Sequence, residues 1–216
     1  MTPPDPSRAV EAPVARPWID PDPSRPLPLG RSLRDDVIAH VPPEHYPGSR
    51  ARWIFVGLRV ALRSSGFRVV ALYRFAHTLR GRLGPPGRLG AALVFWLIRH
   101  LYGCSIASTA RLHGGLILPH PQGIVIGPGA VVGPRAWIYQ NVTIGGTPGK
   151  SGLPAVGSDS RLYAGAVLAG PVHVGDRVVV GANAVVVRDV PQGSLVRVAP
   201  VEILPRSPHP VEGQGG

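Results

Sequence analysis

Acidic side chains are missing from the middle of this 216-residue chain: between Glu44 and Asp159 there is no Asp or Glu. A histidine in that stretch has no carboxylate near it in sequence to orient its ring. Lysine is almost absent too. Lys150 is the only one, so arginine carries nearly all of a net charge of +11. A field of that sign attracts anions (nucleic acid, anionic lipid or a phosphorylated cofactor), although many of the arginines read equally well as solvated surface. Cysteine occurs once, at Cys104, which excludes an internal disulfide framework and makes a reducing cytoplasm the default expectation. The amino terminus is Pro-rich and acidic where a secretory signal needs an apolar segment, so no such signal is expected. The apolar run at residues 91–98 is far short of the ~20 residues that cross a bilayer.

Glycine and proline are in excess, at 28 and 26 residues, which favours many short strands with turns or disordered tails over a helical bundle. Hydrophobic residues reach 44%, so a core can still be buried, and the length allows one or two compact domains. Residues 1–30 lack periodicity and read as a disordered tail; residues 192–216 read as a second tail. Residues 31–104 read as helical. Ser32 is placed to cap a first helix that carries Asp35 and Asp36 in its opening turn and that Pro42-Pro43 stops. Apolar–basic stretches at 53–62, 67–79 and 89–101 supply three more, with Gly84-Pro85-Pro86-Gly87 as a break. The last stretch is expected to pack against its neighbours or a partner subunit, or to lie in a membrane interface through its flanking arginines.

The strongest pattern is a ladder. Aliphatic residues recur at a step of six: Ile106, Leu112 and Leu118; then, after a step of eight, Ile126, Val132, Ile138 and Ile144; then, after a step of twelve, Val156, Leu162, Leu168, Val174, Val180 and Val186. The residue four after each is usually small or β-branched. A step of six wanders round a helix of 3.6 residues per turn, and a plain strand alternates at two. A short strand plus a tight corner satisfies both. Gly115, Gly129, Asn141, Gly165 and Asn183 sit three after an aliphatic, where a left-handed corner needs them. Three such units close a triangular coil, and stacked coils bury the aliphatics in one core, with the helical segment free to cap an end. Residues 105–191 are the expected solenoid.

The ladder breaks register between Leu118 and Ile126, and the insertion holds His120. Such an irregularity aims a side chain away from the core, and an imidazole is suited to proton transfer near neutral pH. His113 follows a core aliphatic in a regular coil and reads as a surface or stacking residue. Gly145 and Gly146 are adjacent glycines that let a ligand approach the main chain.

With these residues in view, the chain resembles the serine acetyltransferase branch of the hexapeptide-repeat acyltransferases. The segments LILPHPQGIVIG (116–127), IYQNVTIGG (138–146) and VGDRVVVGANAVVVRDVP (174–191) carry the resemblance. It implies a mainly β fold, a left-handed parallel β-helix behind a small α-helical region, usually assembled as a homotrimer with acetyl-CoA in a groove between subunits. It implies His120 as the general base, Gly145 and Gly146 as oxyanion and CoA contacts, and Ala164, Gly165, Gly181 and Ala182 along the CoA wall. Arg161, Arg177 and Arg188 are candidates for CoA phosphates. No metal is expected.

Three departures accompany it. Pro119 stands where the family carries an Asp before the histidine, and Ser105 where it carries the Asp that orients that histidine. Gly152 and Leu153 stand where it carries an Arg-His pair, in a loop that is two residues shorter. A backbone carbonyl would then have to orient His120. Transfer to a sugar or surface-polysaccharide hydroxyl, and a non-catalytic scaffold, stay open beside transfer to serine. A β-helix hydratase needs three converging histidines, and the spacing of His113, His120 and His173 does not put them on one rung. Nucleic-acid binding would rest on charge alone, without an aromatic–basic platform.

Overall fold

The computed structural model describes residues 29–149 and 151–199. The tail expected over residues 1–30 lies outside them apart from its last two residues, as does the expected C-terminal tail beyond residue 199. Four helices come first: α1 (Leu29–Ala39), α2 (Arg50–Arg63), α3 (Ser65–Arg82) and α4 (Gly84–Tyr102). Ser32 is not a cap, since α1 already begins at Leu29 and buries Ser32 inside it. A helix is capped instead by Ser64, whose Oγ accepts from the Phe67 N–H at 3.1 Å at the start of α3. The Gly84–Gly87 break is the first turn of α4, where a proline's missing N–H costs no hydrogen bond. Gly103, left-handed at φ 59°, ends that helix and feeds directly into the repeats.

Among the described residues thirteen short strands then wind into five coils with three faces, all paired in parallel. The first face stacks β1 (Ser105–Ile106), β3 (Val125–Ile126), β6 (Thr143–Gly145), β9 (Val167–Ala169) and β12 (Val185–Val186). The second stacks β2 (Arg111–Leu112), β4 (Val131–Val132), β7 (Ala155–Val156) and β10 (His173–Val174). The third stacks β5 (Trp137–Ile138), β8 (Arg161–Leu162), β11 (Val179–Val180) and β13 (Leu195–Val196). The strand pairing of β13 with β11 carries the last coil past Pro191. Every aliphatic of the ladder points inward, none more than 6% exposed. Each fully buried Ile, Leu or Val contributes about 1.5–3 kcal/mol, so this column is the main source of stability.

A solenoid's first coil has no rung beneath it, and α3 covers that end. The Tyr73 hydroxyl donates to the Ala110 carbonyl at 2.5 Å, and the Arg74 guanidinium donates to the carbonyls of Leu112 and His113, both at 2.8 Å. Asp36 of α1 answers from the other side. It binds Arg74 through two oxygens, at 2.5 and 3.0 Å, and its Oδ1 also accepts from the N–H of Gly115 and of Leu116. Both charged groups are buried, and each has the partners a buried charge requires. Gly66 lets α3 come this close: a Cβ there would sit 1.8 Å from the Leu118 carbonyl oxygen. α1, α2 and α3 share a small separate core of Val37, Val60 and Phe67, edged by Trp53 and Val56.

Candidate functional site

The coil has three corners, and they differ chemically. The third, where the third face returns to the first, is enlarged in the first coil. From Ile117 to Val125 the chain takes two residues more than from Trp137 to Thr143, and these positions pair with each other across the coils. His120 lies in this insertion and is exposed, outside the solenoid core. Its neighbour Pro121 is buried, which anchors the excursion. Among the described residues no side chain or carbonyl hydrogen-bonds the His120 ring. Ser105, at the position of an orienting acid, instead accepts from Arg99 at 3.2 Å.

Above His120 the same corner continues in register. The left-handed positions Gly103, Gly123, Asn141, Gly165 and Asn183 stack along it, with φ between 58° and 71°. From Gly123 onward glycine and asparagine alternate because the amide needs the space: a Cβ on Gly123 would meet Asn141 Oδ1 at 2.0 Å, and one on Gly165 would meet Asn183 Oδ1 at 2.2 Å. Backbone bonds tie the corner together, from Asn141 N–H to Gln122 O, Gly165 N–H to Gln140 O and Asn183 N–H to Ala164 O. The candidates therefore share one edge with His120, Ala164 and Gly165 two coils further on and Gly181 and Ala182 three.

Gly145 and Gly146 do not share that edge. They end β6 on the opposite side of the first face, at the first corner. Gly145 belongs to the ladder with β9, and its carbonyl accepts from Gly170 N–H at 2.9 Å. The Gly146 N–H is unpaired among the described residues, so of the two it is the better donor. A Cβ on Gly145 would meet nothing within 4 Å, which leaves open space beside this edge. The neighbouring loop folds back. Leu153 reaches over Gly129, where a Cβ would meet its Cδ1 at 2.3 Å, and Gly152, at φ 103°, lies against Pro171.

Other candidates separate. His113, expected as a surface or stacking residue, is not at the surface but buried, because α1 covers its corner and Arg74 binds its carbonyl. Arg161 lies over the Trp137 ring at 5.4 Å, Arg177 sits at the second corner near Asp159, and Arg188 is exposed beyond β12. The three arginines converge on no common point of one chain. Among the described residues no group of three His, Cys, Asp or Glu is placed to hold a metal ion.

An aromatic–basic platform does exist, contrary to the reading from sequence. Tyr139 and Tyr163 stack at 5.0 Å, Trp137 adjoins Tyr139 at 6.5 Å, and Arg161 covers Trp137. It runs up the third face to the corner that holds His120. Gln140, on that corner, keeps a buried Oε1 with no partner among the described residues. Register could have shown both: the loop at 146–154 adds six residues to one coil, so Tyr139 and Tyr163 are neighbours 24 residues apart.

Known proteins agree with this geometry. A model of the bacterial transferase hexapeptide (six repeats) matches residues 154–188. The serine acetyltransferase of Synechococcus elongatus is 38% identical over 153 residues, 70% of this chain and 62% of that protein. That of Helicobacter pylori is 36% identical over 150 residues, 68% of this chain and 83% of that protein. The chain belongs to the serine acetyltransferase family. Among solved family structures, the Neisseria gonorrhoeae serine acetyltransferase in complex with serine aligns with a TM-score of 0.64 at 28% identity, over 81% of this chain and 68% of that one. The Entamoeba histolytica isoform 3 in complex with cysteine, at 24% identity and a TM-score of 0.65, shares the fold over 82% of this chain and 62% of that one.

Proposed function

We propose that this family member transfers the acetyl group of acetyl-CoA to the hydroxyl of serine, with His120 as general base. The observation that carries the reading is the placement of His120. It is an exposed imidazole on the one enlarged turn of an otherwise regular corner, in a chain of this family. Acetyl-CoA, when bound, supplies the acetyl thioester. His120 takes the hydroxyl proton as the oxygen attacks the thioester carbon and gives it to the CoA sulfur as the C–S bond breaks, a role typically contributing about 10²- to 10⁴-fold in rate. The Gly146 N–H donates to the oxygen that gains charge, and the open space beside Gly145 admits an extended chain along the strand edge.

His120 and Gly146 bound opposite edges of the first face, so one chain does not close a site around both. A cyclic homotrimer, in which the His120 edge of one subunit faces the Gly146 edge of the next, brings them together. Gly152 and Leu153 occupy the place of an Arg-His pair in the 146–154 loop, so the serine carboxylate must find its cation at a position other than these two.

The test is release of free CoA thiol from acetyl-CoA in the presence of serine, beside a panel of sugar acceptors. The reading predicts turnover with serine at a KM in the common range of about 1 μM to 1 mM. Turnover with a sugar and none with serine would overturn the acceptor; no binding of acetyl-CoA by calorimetry would overturn the activity.

A further inference from the structure

We propose that the outward side of α4, with the arginine-lined groove beside it, docks on an anionic lipid bilayer. α4 is two-sided. Ala91, Val94 and Ile98 pack inward, whereas Leu89, Leu93 and Trp96 are 76, 58 and 54% exposed at the i, i+4, i+7 spacing of one helical stripe. A stripe of large apolar side chains left in water marks an interaction surface. Between this helix and the first coil lies a groove of about 720 Å³, walled by Arg80, Arg88, Phe95, Trp96 and Arg99. Two of the guanidiniums are held in place from the β-helix, Arg80 by the Ser108 hydroxyl and Arg99 by that of Ser105. α2 repeats the pattern, with exposed Ile54, Phe55, Leu58 and Leu62 among Arg52, Arg59 and Arg63.

Charge selects the occupant. α2, α3 and α4 carry no acidic residue at all, because the gap from Glu44 to Asp159 contains them. A second copy meeting this face with its own would set arginine against arginine with no carboxylate to answer it. An anionic bilayer offers both missing partners. Headgroup phosphates meet the arginines, and the acyl boundary takes Leu89, Leu93 and Trp96. No described helix is long and apolar enough to cross a membrane, so the contact lies in the interface plane.

The experiment is co-sedimentation of the full chain with vesicles of pure phosphatidylcholine or of phosphatidylcholine with phosphatidylglycerol, at ~0.1 M and ~0.5 M salt. Binding to the anionic vesicles alone, released by the higher salt, is expected. In a Leu93→Glu/Trp96→Glu variant that binding falls at least about tenfold, as it does in Arg88→Glu/Arg99→Glu. Far-UV circular dichroism and acetyl transfer in the first variant stay unchanged, because both side chains are exposed and neither is assigned a part in the transfer. Absence of binding to anionic vesicles, or undiminished binding by either variant, overturns the proposal. So does a Leu93→Glu/Trp96→Glu variant whose particle mass drops in light scattering, since a second copy would then be the occupant.

Discussion

The second and third corners of this β-helix obey the same backbone rule and use it for opposite ends. Both stack left-handed residues from coil to coil. At the second corner these are Gly115, Arg135, Asp159, Arg177 and Gly193, and the side chains answer one another. Arg135 grips Asp159 with two 2.6 Å bonds, Asp176 accepts from the Ser158 N–H, and Ser160 bridges Gly175 O and Val178 N–H. The coil below adds the buried Asp36–Arg74 pair. The third corner has no ion pair among its described residues. Glycine and asparagine shape it, and it leaves His120 and the Gln140 amide oxygen without partners. One corner uses its polar groups to hold the solenoid; the other leaves these two without partners among the described residues.

Substitutions at the two corners should therefore separate activity from stability. His120→Ala is expected to lower kcat/KM by about 10²- to 10⁴-fold with the melting temperature unchanged. Asp36→Ala does the reverse. It strands a buried guanidinium and is expected to cost about 3–5 kcal/mol in urea unfolding, while activity per folded molecule is kept. Gly165→Ala probes whether the third corner also has a packing limit. Its Cβ meets Asn183 Oδ1 at 2.2 Å in a backbone at φ 71°, and a loss of about 1–3 kcal/mol is expected, partly restored by Asn183→Gly.

Smaller effects refine the contrast. Arg135 and Asp159 are 61 and 40% exposed, so Asp159→Asn is expected to cost under about 1 kcal/mol, and less at high salt. His77 of α3 is held below its ordinary value of 6.5 by burial first, then by the charges of Arg111, Arg80 and Arg74. It stays neutral in the fold, so its contribution is present above about pH 6.5 and is lost as the pH falls through the lowered value. Thermal unfolding between about pH 5 and 8 should show a decline on the acid side that His77→Gln reduces.

The ladder was legible because a repeat writes its core into the sequence at a fixed step, and the eight-residue break exposed His120 by contrast. The glycine and asparagine corners were legible for the same reason: few other residues tolerate φ near 60°. Arg135, Asp159 and Arg177 adopt it too, but nothing local announces that; they are stacked and paired across coils. The clasp between Asp36 and Arg74 joins two helices to a coil about 40 residues further on, so no spacing reveals it. His113 was misread because its exposure depends on α1, not on its own coil. The Trp137, Tyr139 and Tyr163 strip was hidden by the six residues that the loop inserts into the count.

Mixing two disabled chains tests the shared site most directly. His120→Ala and Gly146→Val, the second walling off its N–H, are each expected to be nearly inactive when purified alone, if the proposed trimer forms the site. Unfolded together in equal amounts and refolded, they form interfaces in which an intact His120 faces an intact Gly146 at about one boundary in four. Recovery of about a quarter of wild-type turnover is predicted. No recovery from mixed trimers, with each parent's oligomeric state intact, would show that the two edges do not meet between subunits.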